Sequence, residues 1–340
     1  MTAWLRTAPT IAILTIATLL GFGSSAFAQK VRLTLDFALQ GQQSPFILAV
    51  EGGYFSRAGV DVVVERGYGS ADAITKVASG AYDMAFADIG AMIQFNGKQH
   101  AAKVISVFQI YDIAPMTVLS LAKSGIKTPA DLAGKRIAAP PGSSTRVMFP
   151  LLATATGLDM STIKWLDVTP QLRETLLVQG QADATTALVT DLAGLAHLGI
   201  SEKDLTIMRY GDFGVPLYGH AVLTTPEFAE KNPETVKKVL VAVAQAWRDS
   251  IADPGKAIDA LKKRNPLAEE TVERKRLQDV IDWGIVTERT KRDGLGAVDP
   301  ARMTETIAMV AKAFSLEPMS AAVTYRPDFL PPAEMRRLPK

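Results

Sequence analysis

Three hydroxyl side chains lie in one short loop of the sequence, Pro140 to Thr145 (PPGSST). The loop follows a strand-like run and precedes a helical pattern, so Ser143, Ser144 and Thr145 come where a helix begins. Backbone N–H groups at a helix start have no intrahelical partner, and they suit an anionic or strongly polar ligand atom. Capping of the helix by Ser143 or Ser144 explains the same residues, and both roles can hold together.

Two carboxylates also belong to strand-like runs. Asp36 falls within the run Val31 to Phe37, and Asp88 follows the run Tyr82 to Ala87. Each can accept a hydrogen bond from a ligand amine or ring N–H. The alternatives are a buried Asp36 held by neighbouring loops and an Asp88 that caps the next helix. Nearby aromatic residues can stack on a planar ligand or pack in a core: Phe37, Phe213 and Tyr218.

The elements that carry these residues repeat as strand, loop and helix. After Phe37 comes a polar loop, Gln40 to Gln43, and then a helix with Ser44 as its predicted N-cap and Pro45 at its first position. The alternation continues along the chain and predicts an α/β fold with parallel sheets and crossover helices. In such sheets ligands bind at the carboxyl ends of strands, which is where the candidate residues lie.

Two stretches break the alternation. Tyr111 to Pro115 joins two strand-like runs with no helix between them, and Asp212 to Gly219 precedes a further run to Thr224. We interpret both as crossings between two lobes. Beyond Pro226 the pattern is helical, and the tail from Pro327 to Pro339 is expected to be extended and poorly ordered. The predicted divisions are residues 29–113 and 217–340 for lobe 1 and residues 114–216 for lobe 2.

A sequence pattern that occurs twice in the chain supports two similar lobes. The segments ITKVASGAYDMAFAD and LLVQGQADATTAL each join a helix end, a Gly, two residues, an Asp and a short strand. Gly80 and Gly180 are predicted to end helices, and Asp83 and Asp183 are predicted to accept from nearby backbone N–H groups. These four residues are therefore interpreted as structural.

The amino-acid composition excludes several classes of function. With 340 residues, of which 48% are apolar and 21% charged, the chain can bury a large core, and its net charge of +2 does not favour nucleic acid as a partner. The absence of cysteine excludes disulfides, thiolate metal sites and Cys nucleophiles. No phosphate-binding, G-x-S-x-G or H-E-x-x-H motif is found, so no catalytic residue, metal or cofactor is predicted, and His220 is interpreted as a packed or surface residue.

The first 28 residues have the pattern of a signal peptide. Arg6 precedes an apolar stretch, Ile11 to Phe22, and Ala26-Phe27-Ala28 supplies small residues for cleavage after Ala28. An uncleaved anchor is the alternative, but the apolar run is shorter than the roughly 20 residues that span a bilayer. We therefore expect an exported protein of a bacterial periplasm.

At Leu35-Asp36-Phe37, followed by the polar loop and AVEGGYFSRAGVDV, the sequence resembles the periplasmic solute-binding proteins of the nitrate, sulfonate, taurine and thiamine-pyrimidine precursor uptake family. The resemblance continues through SGAYDMAFAD, GIKTPADLAGKRIAAPPG and DATTAL, to about residue 230. It implies a type II periplasmic binding protein fold, in which two α/β lobes joined by two crossing strands close on a small-molecule ligand. It also implies an ABC permease and ATPase as partners, and we expect a monomer.

The ligand stays open at this point. Relatives that bind the pyrimidine precursor often have Trp where Phe37 stands and an Asn- and His-bearing loop where this chain has Gln40 to Ser44. The two carboxylates favour a ligand with N–H donors, whereas the Ser143 to Thr145 loop favours a carboxylate or sulfonate. From the residues and the resemblance together, the predicted ligand-binding residues are Asp36, Phe37, Gln40, Gln42, Gln43, Ser44, Asp88, Ile89, Gly142, Ser143, Ser144, Thr145, Thr186, Val215 and Tyr218.

Two other functions remain as alternatives. The first is a secreted enzyme on the same fold, although related chains that synthesise the pyrimidine carry cysteine and histidine sets that are missing here. The second is a ligand-sensing partner of a signalling receptor. Gene neighbours that encode a permease and an ATPase would separate transport from signalling.

Overall fold

The computed structural model describes residues 1–2, 30–99 and 103–339. The predicted signal peptide, apart from its first two residues, lies outside the described residues. Within the described ranges, no helix has the length and apolar character that crossing a membrane requires.

The described residues form ten β-strands in two sheets of five strands each. We call the part of the molecule built on the first sheet lobe 1 and the part built on the second sheet lobe 2. The strands are β1 Val31–Thr34, β2 Val62–Glu65, β3 Met84–Asp88, β4 Ile105–Gln109, β5 Met116–Leu121, β6 Arg136–Ala139, β7 Lys164–Asp167, β8 Ala184–Leu188, β9 Leu205–Arg209 and β10 His220–Thr224.

Both sheets are mixed, so the prediction of parallel sheets is wrong in one respect. The strand orders are β2-β1-β3-β10-β4 and β7-β6-β8-β5-β9. Strands β10 and β5 run antiparallel to both of their neighbours, whereas β1 and β6 run parallel to theirs. The chain enters β5 and β10 directly from a strand of the other lobe. Because no crossover helix precedes these two strands, they need not follow the parallel direction.

The helices flank the two sheets. They are α1 Ser44–Glu51, α2 Tyr54–Arg57, α3 Ser70–Ala78, α4 Ile89–Gln99, α5 Ser144–Val147, α6 Phe149–Thr156, α7 Arg173–Val178, α8 Leu192–His197, α9 Pro226–Lys231, α10 Pro233–Ala252, α11 Pro254–Arg264, α12 Glu270–Val280, α13 Glu288–Asp293, α14 Pro300–Phe314, α15 Ala321–Thr324 and α16 Ala333–Arg336. A π-helical turn, Ile281–Ile285, continues α12. Short 3₁₀ turns lie at Gly41–Gln43, Ala122–Ser124, Pro129–Leu132, Met160–Thr162, Val189–Asp191, Glu202–Asp204, Tyr210–Phe213 and Pro327–Phe329.

Ser44, the predicted N-cap of the first helix, is instead the first residue of α1, and Ser70 is likewise the first residue of α3. Ser44 Oγ donates to Gly41 O at 2.6 Å, because the 3₁₀ turn Gly41–Gln43 runs directly into α1. Ser70 Oγ accepts from Asp88 N at 3.1 Å. Ser44 Oγ therefore closes a local turn, Ser70 Oγ joins α3 to β3, and neither hydroxyl caps its own helix.

Two further expectations for the elements are corrected. Strand β9 was not predicted, because its short apolar alternation lies between polar turns. The tail after Pro327 is packed and not loose: Phe329 is buried, and Arg336 O accepts from Leu295 N at 2.8 Å. The apolar side chains of the tail pack against the rest of the protein, whereas its proline content had suggested an extended, poorly ordered segment.

Helices α12 and α14 hold the lobes together. Helix α12 packs on the Gly41–Gln43 turn of lobe 1 and on α8 of lobe 2, and α14 packs on α4 and α6. The chain itself crosses between β4 and β5 and again between β9 and β10. The predicted lobe boundaries at residues 113–114 and 216–217 lie in these two crossings and stay a prediction.

Candidate functional site

A cavity lies between the lobes at the carboxyl ends of β1, β6 and β8. It is narrow, about 20 Å³, so a ligand of even one ring can enter only when the lobes separate. The lobes touch beside it, where Ala71 N donates to Gly142 O at 3.3 Å. The lining residues are Asp36, Phe37, Gln42, Gly69, Ser70, Ser143, Ser144, Thr145, Arg173, Leu188 and Asp191.

Asp36 is the carboxylate of the lobe 1 wall. It is buried, and each of its oxygens already has a partner: Oδ1 accepts from Gln43 Nε2 at 3.0 Å, and Oδ2 lies 3.0 Å from His220 Nε2. A carboxylate oxygen has two lone pairs, so Asp36 can still accept from a ligand N–H in the cavity. Both roles considered for Asp36, the buried structural one and the ligand contact, are therefore compatible with its geometry.

His220 links Asp36 to Asp88. It begins β10 and lies opposite Asp88 in the antiparallel pairing with β3. Burial alone would lower the pKa of His220, but the carboxylates of Asp36 and Asp88 outweigh burial and raise that pKa. Burial raises the pKa of Asp88, against the opposing effect of His220. The two carboxylates therefore favour the protonated form of His220, whose charge would balance that of Asp36 inside lobe 1.

Ser70 completes this cluster, but its geometry does not fit nucleophilic catalysis. Ser70 Oγ lies 3.4 Å from His220 Nε2, the same nitrogen that contacts Asp36. In a Ser-His-Asp triad the hydroxyl and the carboxylate bind opposite ring nitrogens, so that the ring can accept the hydroxyl proton. Here Nδ1 of His220 has no hydrogen-bond partner among the described residues. The cluster is built to hold Asp36 and not to activate Ser70.

Helix α12 holds the Gln-rich loop, Gln40 to Gln43, in place. Gly41 N donates to Glu273 Oε2 at 2.5 Å, and a Cβ on Gly41 would lie 1.8 Å from Glu273 O, so only glycine fits here. Gln42 lines the cavity, and its buried Oε1 has no hydrogen-bond partner among the described residues. An unpaired buried acceptor is costly, and a ligand N–H would satisfy it.

The hydroxyl loop forms the lobe 2 wall. Ser143 caps α5 by accepting from Arg146 N at 3.3 Å, and its Oγ also donates to Pro140 O at 2.9 Å. Thr145 Oγ1 donates to Thr186 Oγ1 at 3.0 Å. Ser143 and Thr145 are thus occupied with local structure, and the capping role considered for Ser143 is confirmed. Ser144 is the hydroxyl of this wall that remains for a ligand.

Arg173, the first residue of α7, adds a cation to the same wall. It is only 3% exposed, and its Nη2 lies 2.7 Å from both Glu174 Oε1 and Asp191 Oδ2. Burial alone would lower the pKa of Arg173, but Asp191 and Glu174 outweigh it and raise that pKa. Nη1 donates to Thr186 O at 3.2 Å, which leaves Nη1 a second N–H. Arg173 can therefore donate to a ligand while staying paired.

Asp191 extends this network across the cleft. Its Oδ1 lies 3.4 Å from Arg276 Nη1 on α12, the helix that also holds the Gln-rich loop of lobe 1. We call the Asp191–Arg276 pair the cleft latch. The pair joins lobe 2 to α12, the helix that packs on both lobes.

The remaining predicted site residues lie behind the cavity or away from it. Three residues behind it support lining residues: Gln40 accepts from Gln42, Gln43 donates to Asp36, and Thr186 accepts from Thr145. Ser44 donates to Gly41 O, and Asp88 and Ile89 are buried where β3 meets α4. Gly142 lies beside the cavity, where its carbonyl accepts from Ala71 N of lobe 1. Val215 and Tyr218 are not brought to the cavity. Val215 faces Leu151 and Met309, and the Tyr218 hydroxyl accepts from Asp299 N at 2.9 Å, because this crossing segment packs on α14.

Four polar or charged residues of the site were not predicted from the sequence: Ser70, Arg173, Asp191 and His220. Gly69 and Leu188, which also line the cavity, were not predicted either. Ser70 and Asp191 begin helical segments that follow strands, a position that could have marked them as candidates. Arg173 and His220 gave no such signal. A charged residue on a short helix usually faces water, and the partners of His220 lie far away in the sequence.

The chain resembles known proteins in sequence. A model of the family described as NMT1/THI5 like matches residues 40–257. The formylaminopyrimidine-binding protein of Halalkalibacterium halodurans is 26% identical over 236 residues, which is 68% of this chain and 70% of that protein. A riboflavin-binding protein of Chloroflexus aurantiacus is 23% identical over 331 residues, which is 89% of this chain and 86% of that protein.

The fold is also shared with solved structures. The alkanesulfonate-binding protein of Xanthomonas axonopodis pv. citri, bound to MOPS, superposes with a TM-score of 0.68 over 87% of this chain and 98% of that chain, at 19% identity. This likeness shows that the two five-stranded lobes have the type II periplasmic binding protein fold. At this identity it shows the fold alone.

Proposed function

The chain belongs to the NMT1/THI5-like family, and we propose that it is a periplasmic solute-binding protein that captures a small, uncharged nitrogen heterocycle for an ABC importer. The sequence relatives described above are named for binding a formylaminopyrimidine and riboflavin, and both of these ligands are nitrogen heterocycles. That likeness supports the ligand class, and the chemistry of the cleft supports it independently.

The observation that carries the proposal is the opposition of acceptors and donors across the cleft. Asp36 and Gln42 Oε1 offer acceptors from lobe 1. Ser144 and Arg173 offer donors from lobe 2. A pyrimidine-like ring carries N–H donors on one edge and ring nitrogen or carbonyl acceptors on another, and it matches both walls at once. Phe37, half-buried at the cavity, is placed to pack on the ring face.

The charge balance favours an uncharged ligand over a sulfonate. Arg173 and Arg276 are matched by Glu174 and Asp191, and His220 is matched by Asp36. An anion in this cleft would lie near three buried carboxylates, those of Asp36, Glu174 and Asp191, whose charges the cations of the cleft already balance. A neutral ring needs only the lone pairs and N–H groups that remain, so it binds without disturbing these pairs.

The setting follows from the proposed function. A binding protein for an importer works outside the cytoplasmic membrane, which agrees with the predicted signal peptide and periplasmic location. Its partners would be an ABC permease with its ATPase, and we propose that it acts as a monomer without a cofactor. Closure of the lobes on the ligand would create the surface that the permease recognises.

Native mass spectrometry of freshly purified protein is the first test, because a bound solute adds a discrete mass. Calorimetry then compares formylaminopyrimidine, riboflavin and MOPS. We expect a heterocycle to bind and MOPS to be weaker. Asp36→Asn should weaken heterocycle binding by about 1–3 kcal/mol, the range for hydrogen bonds to charged groups. The exposed Asp61→Asn is the control and should bind like the wild type. Tight MOPS binding with no heterocycle binding would overturn the ligand class.

The two alternative functions have their own outcomes in these experiments. A secreted enzyme on this fold would return the heterocycle chemically altered after incubation. A receptor partner would bind the ligand but would be encoded without a neighbouring permease and ATPase. The position of Ser70 and Asp36 on one nitrogen of His220 favours binding over catalysis.

A further inference from the structure

A second cavity, which we call the hinge cavity, lies against both crossing segments. Its volume is about 370 Å³, which is within the range of small-molecule sites. Ile113 and Met116 line it from the first crossing, and Pro216 lines it from the second. Val189 of lobe 2 and Trp283 of the π-helical turn complete its apolar surface. The cavity therefore borders both crossing segments, through which the chain passes between the lobes.

Trp283 is the largest apolar group of the hinge cavity. Its side chain is 44% exposed, which is unusual for a residue that could pack in a core. The Arg209 guanidinium lies 3.9 Å from the ring centroid of Trp283. Ile113 N donates to Gly284 O at 3.1 Å, so the first crossing segment holds the π-helical turn in place. The result is a fixed, solvent-facing indole with a cation stacked on it.

Arg209 keeps much of its hydrogen-bonding capacity. Its Nε has no acceptor among the described residues, and its Nη1 lies 3.8 Å from Asp212 Oδ2, which is too long for a hydrogen bond. A carboxylate that enters the cavity could therefore pair with this guanidinium in a bidentate arrangement.

The other charged groups of the hinge cavity leave an excess of positive charge. Arg289 and Arg302 both bind the buried Asp112, at 2.9 and 3.1 Å. The charged side chains that line the cavity are three guanidinium groups, of Arg209, Arg289 and Arg302, and one carboxylate, of Asp212. Asp112 does not line the cavity and binds two of these guanidinium groups from outside it. An apolar ring surface with excess positive charge matches a planar ring that bears one negative group.

We propose that the hinge cavity is a second ligand site, which takes an aromatic carboxylate and favours the closed lobes when it is occupied. The coupling runs through the Val189–Asp191 turn. Val189 lines the hinge cavity, its neighbour Leu188 lines the cleft, and Val189 N donates to Pro115 O at 2.8 Å. Asp191 in the same turn carries the cleft latch. An occupant that fixes this turn against the first crossing holds the latch in its closed position.

Ligand-observed NMR titration of the full chain tests the site with benzoate, and benzylamine serves as the probe of opposite charge. We expect benzoate to bind and benzylamine not to bind. Arg209→Gln should weaken benzoate binding by about tenfold, the effect of losing a charge-assisted hydrogen bond. Trp283→Ala should weaken it by up to about tenfold, because the contact between the two rings is lost. Arg326→Gln removes another partly exposed, paired arginine far from the cavity and should leave benzoate binding unchanged. Ser144→Ala in the cleft should also leave it unchanged.

Small-angle scattering tests the coupling without any ligand in the cleft. Saturating benzoate should lower the radius of gyration of the wild type but not that of Trp283→Ala. Failure of benzoate to bind, equal binding of benzylamine, or binding that Ser144→Ala weakens and Trp283→Ala does not would overturn the proposal. None of these results depends on which solute the cleft takes, so the function proposed for the cleft is tested separately.

Discussion

Asp36 and His220 form a buried pair, with 3.0 Å between the carboxylate Oδ2 and the ring Nε2. Asp36 lies in the cleft wall, and His220 is the first residue of β10, where the chain returns from lobe 2. Gln109, at the end of the outgoing strand β4, donates to His220 O at 3.1 Å. The cavity-lining carboxylate of Asp36 therefore contacts β10 directly through His220 and reaches β4 through a second contact, from His220 to Gln109.

This pair predicts a dependence of stability on pH. The pKa of His220 is raised above its ordinary 6.5. The folded state therefore binds this proton more tightly than the unfolded state does. The stability that the pair contributes is complete below about pH 6.5 and is lost as the pH rises through the raised pKa. We expect His220→Gln to cost about 3 kcal/mol near pH 6, the cost of breaking a buried pair, and less at pH 9.

Denaturant unfolding of the wild type and of His220→Gln between pH 6 and pH 9 measures this difference. The exposed His197→Gln is the matched control and should track the wild type throughout. A constant gap between His220→Gln and the wild type across this range would show that the pair contributes by packing and not by charge.

The cleft latch predicts a change in lobe closure. Arg276→Gln removes the partner of Asp191 on α12 and leaves Arg173 as its cation, so the closed form loses a bond that the open form does not need. We expect a larger radius of gyration in solution scattering and an affinity for the cleft ligand about tenfold weaker, a typical coupling between closure and binding. Arg274→Gln alters the same helix on its exposed side, where Arg274 pairs with Glu270, and should change neither quantity.

The sequence predicted the local parts of this fold well. The predicted similarity between Gly80-Asp83 and Gly180-Asp183 is confirmed. Asp83 Oδ2 accepts from Arg32 N at 2.7 Å, and Asp183 Oδ2 accepts from Arg136 N at 2.8 Å. In lobe 1 this aspartate joins the start of β3 to β1, and in lobe 2 it joins the start of β8 to β6. The pattern was readable because a helix end, a turn and a strand follow one another within a few residues.

The contacts among the charged side chains of the site could not be predicted from the sequence in the same way. The contact between His220 and its carboxylate partners depends on strand β10, which inserts antiparallel beside β3. The alternation of strands and helices in the sequence does not predict this antiparallel pairing. Arg173 and Asp191 meet only once α7 and the Val189–Asp191 turn pack at the cleft. Contacts between residues that are far apart in the chain produce no periodic pattern in the sequence. The sequence therefore predicted the loops that form the cleft walls but not the network of charged side chains between them.

The two serines of the hydroxyl loop are predicted to separate binding from stability. Ser143→Ala removes the cap of α5 and should cost about 1 kcal/mol of stability. Ser144→Ala removes the hydroxyl that faces the cavity and should weaken binding of the cleft ligand by about 1 kcal/mol with no change in melting temperature. Calorimetry and thermal unfolding of the two single variants check this. If Ser144→Ala destabilises the fold without affecting the ligand, the loop is structural only.

Gly69 predicts the clearest obstruction of closure. Its φ of +131° is reserved for glycine, and a Cβ there would lie 2.2 Å from Gly142 O in the opposite lobe. Gly69→Ala should therefore hold the lobes apart, raise the radius of gyration and weaken binding of the cleft ligand by more than about tenfold.

Two controls separate obstruction of closure from backbone strain. Gly142→Ala changes the facing residue, where a Cβ would meet only Tyr68 O at 3.5 Å, so closure should persist. Gly125→Ala has a positive φ of +77° with no atom within 4 Å, so it measures the cost of φ strain away from the cleft. If Gly69→Ala only lowers the melting temperature, as Gly125→Ala should, and closes normally in scattering, then the Gly69 to Gly142 approach does not limit closure. The ligand would then have to be admitted by a movement that leaves this edge of the cleft in place.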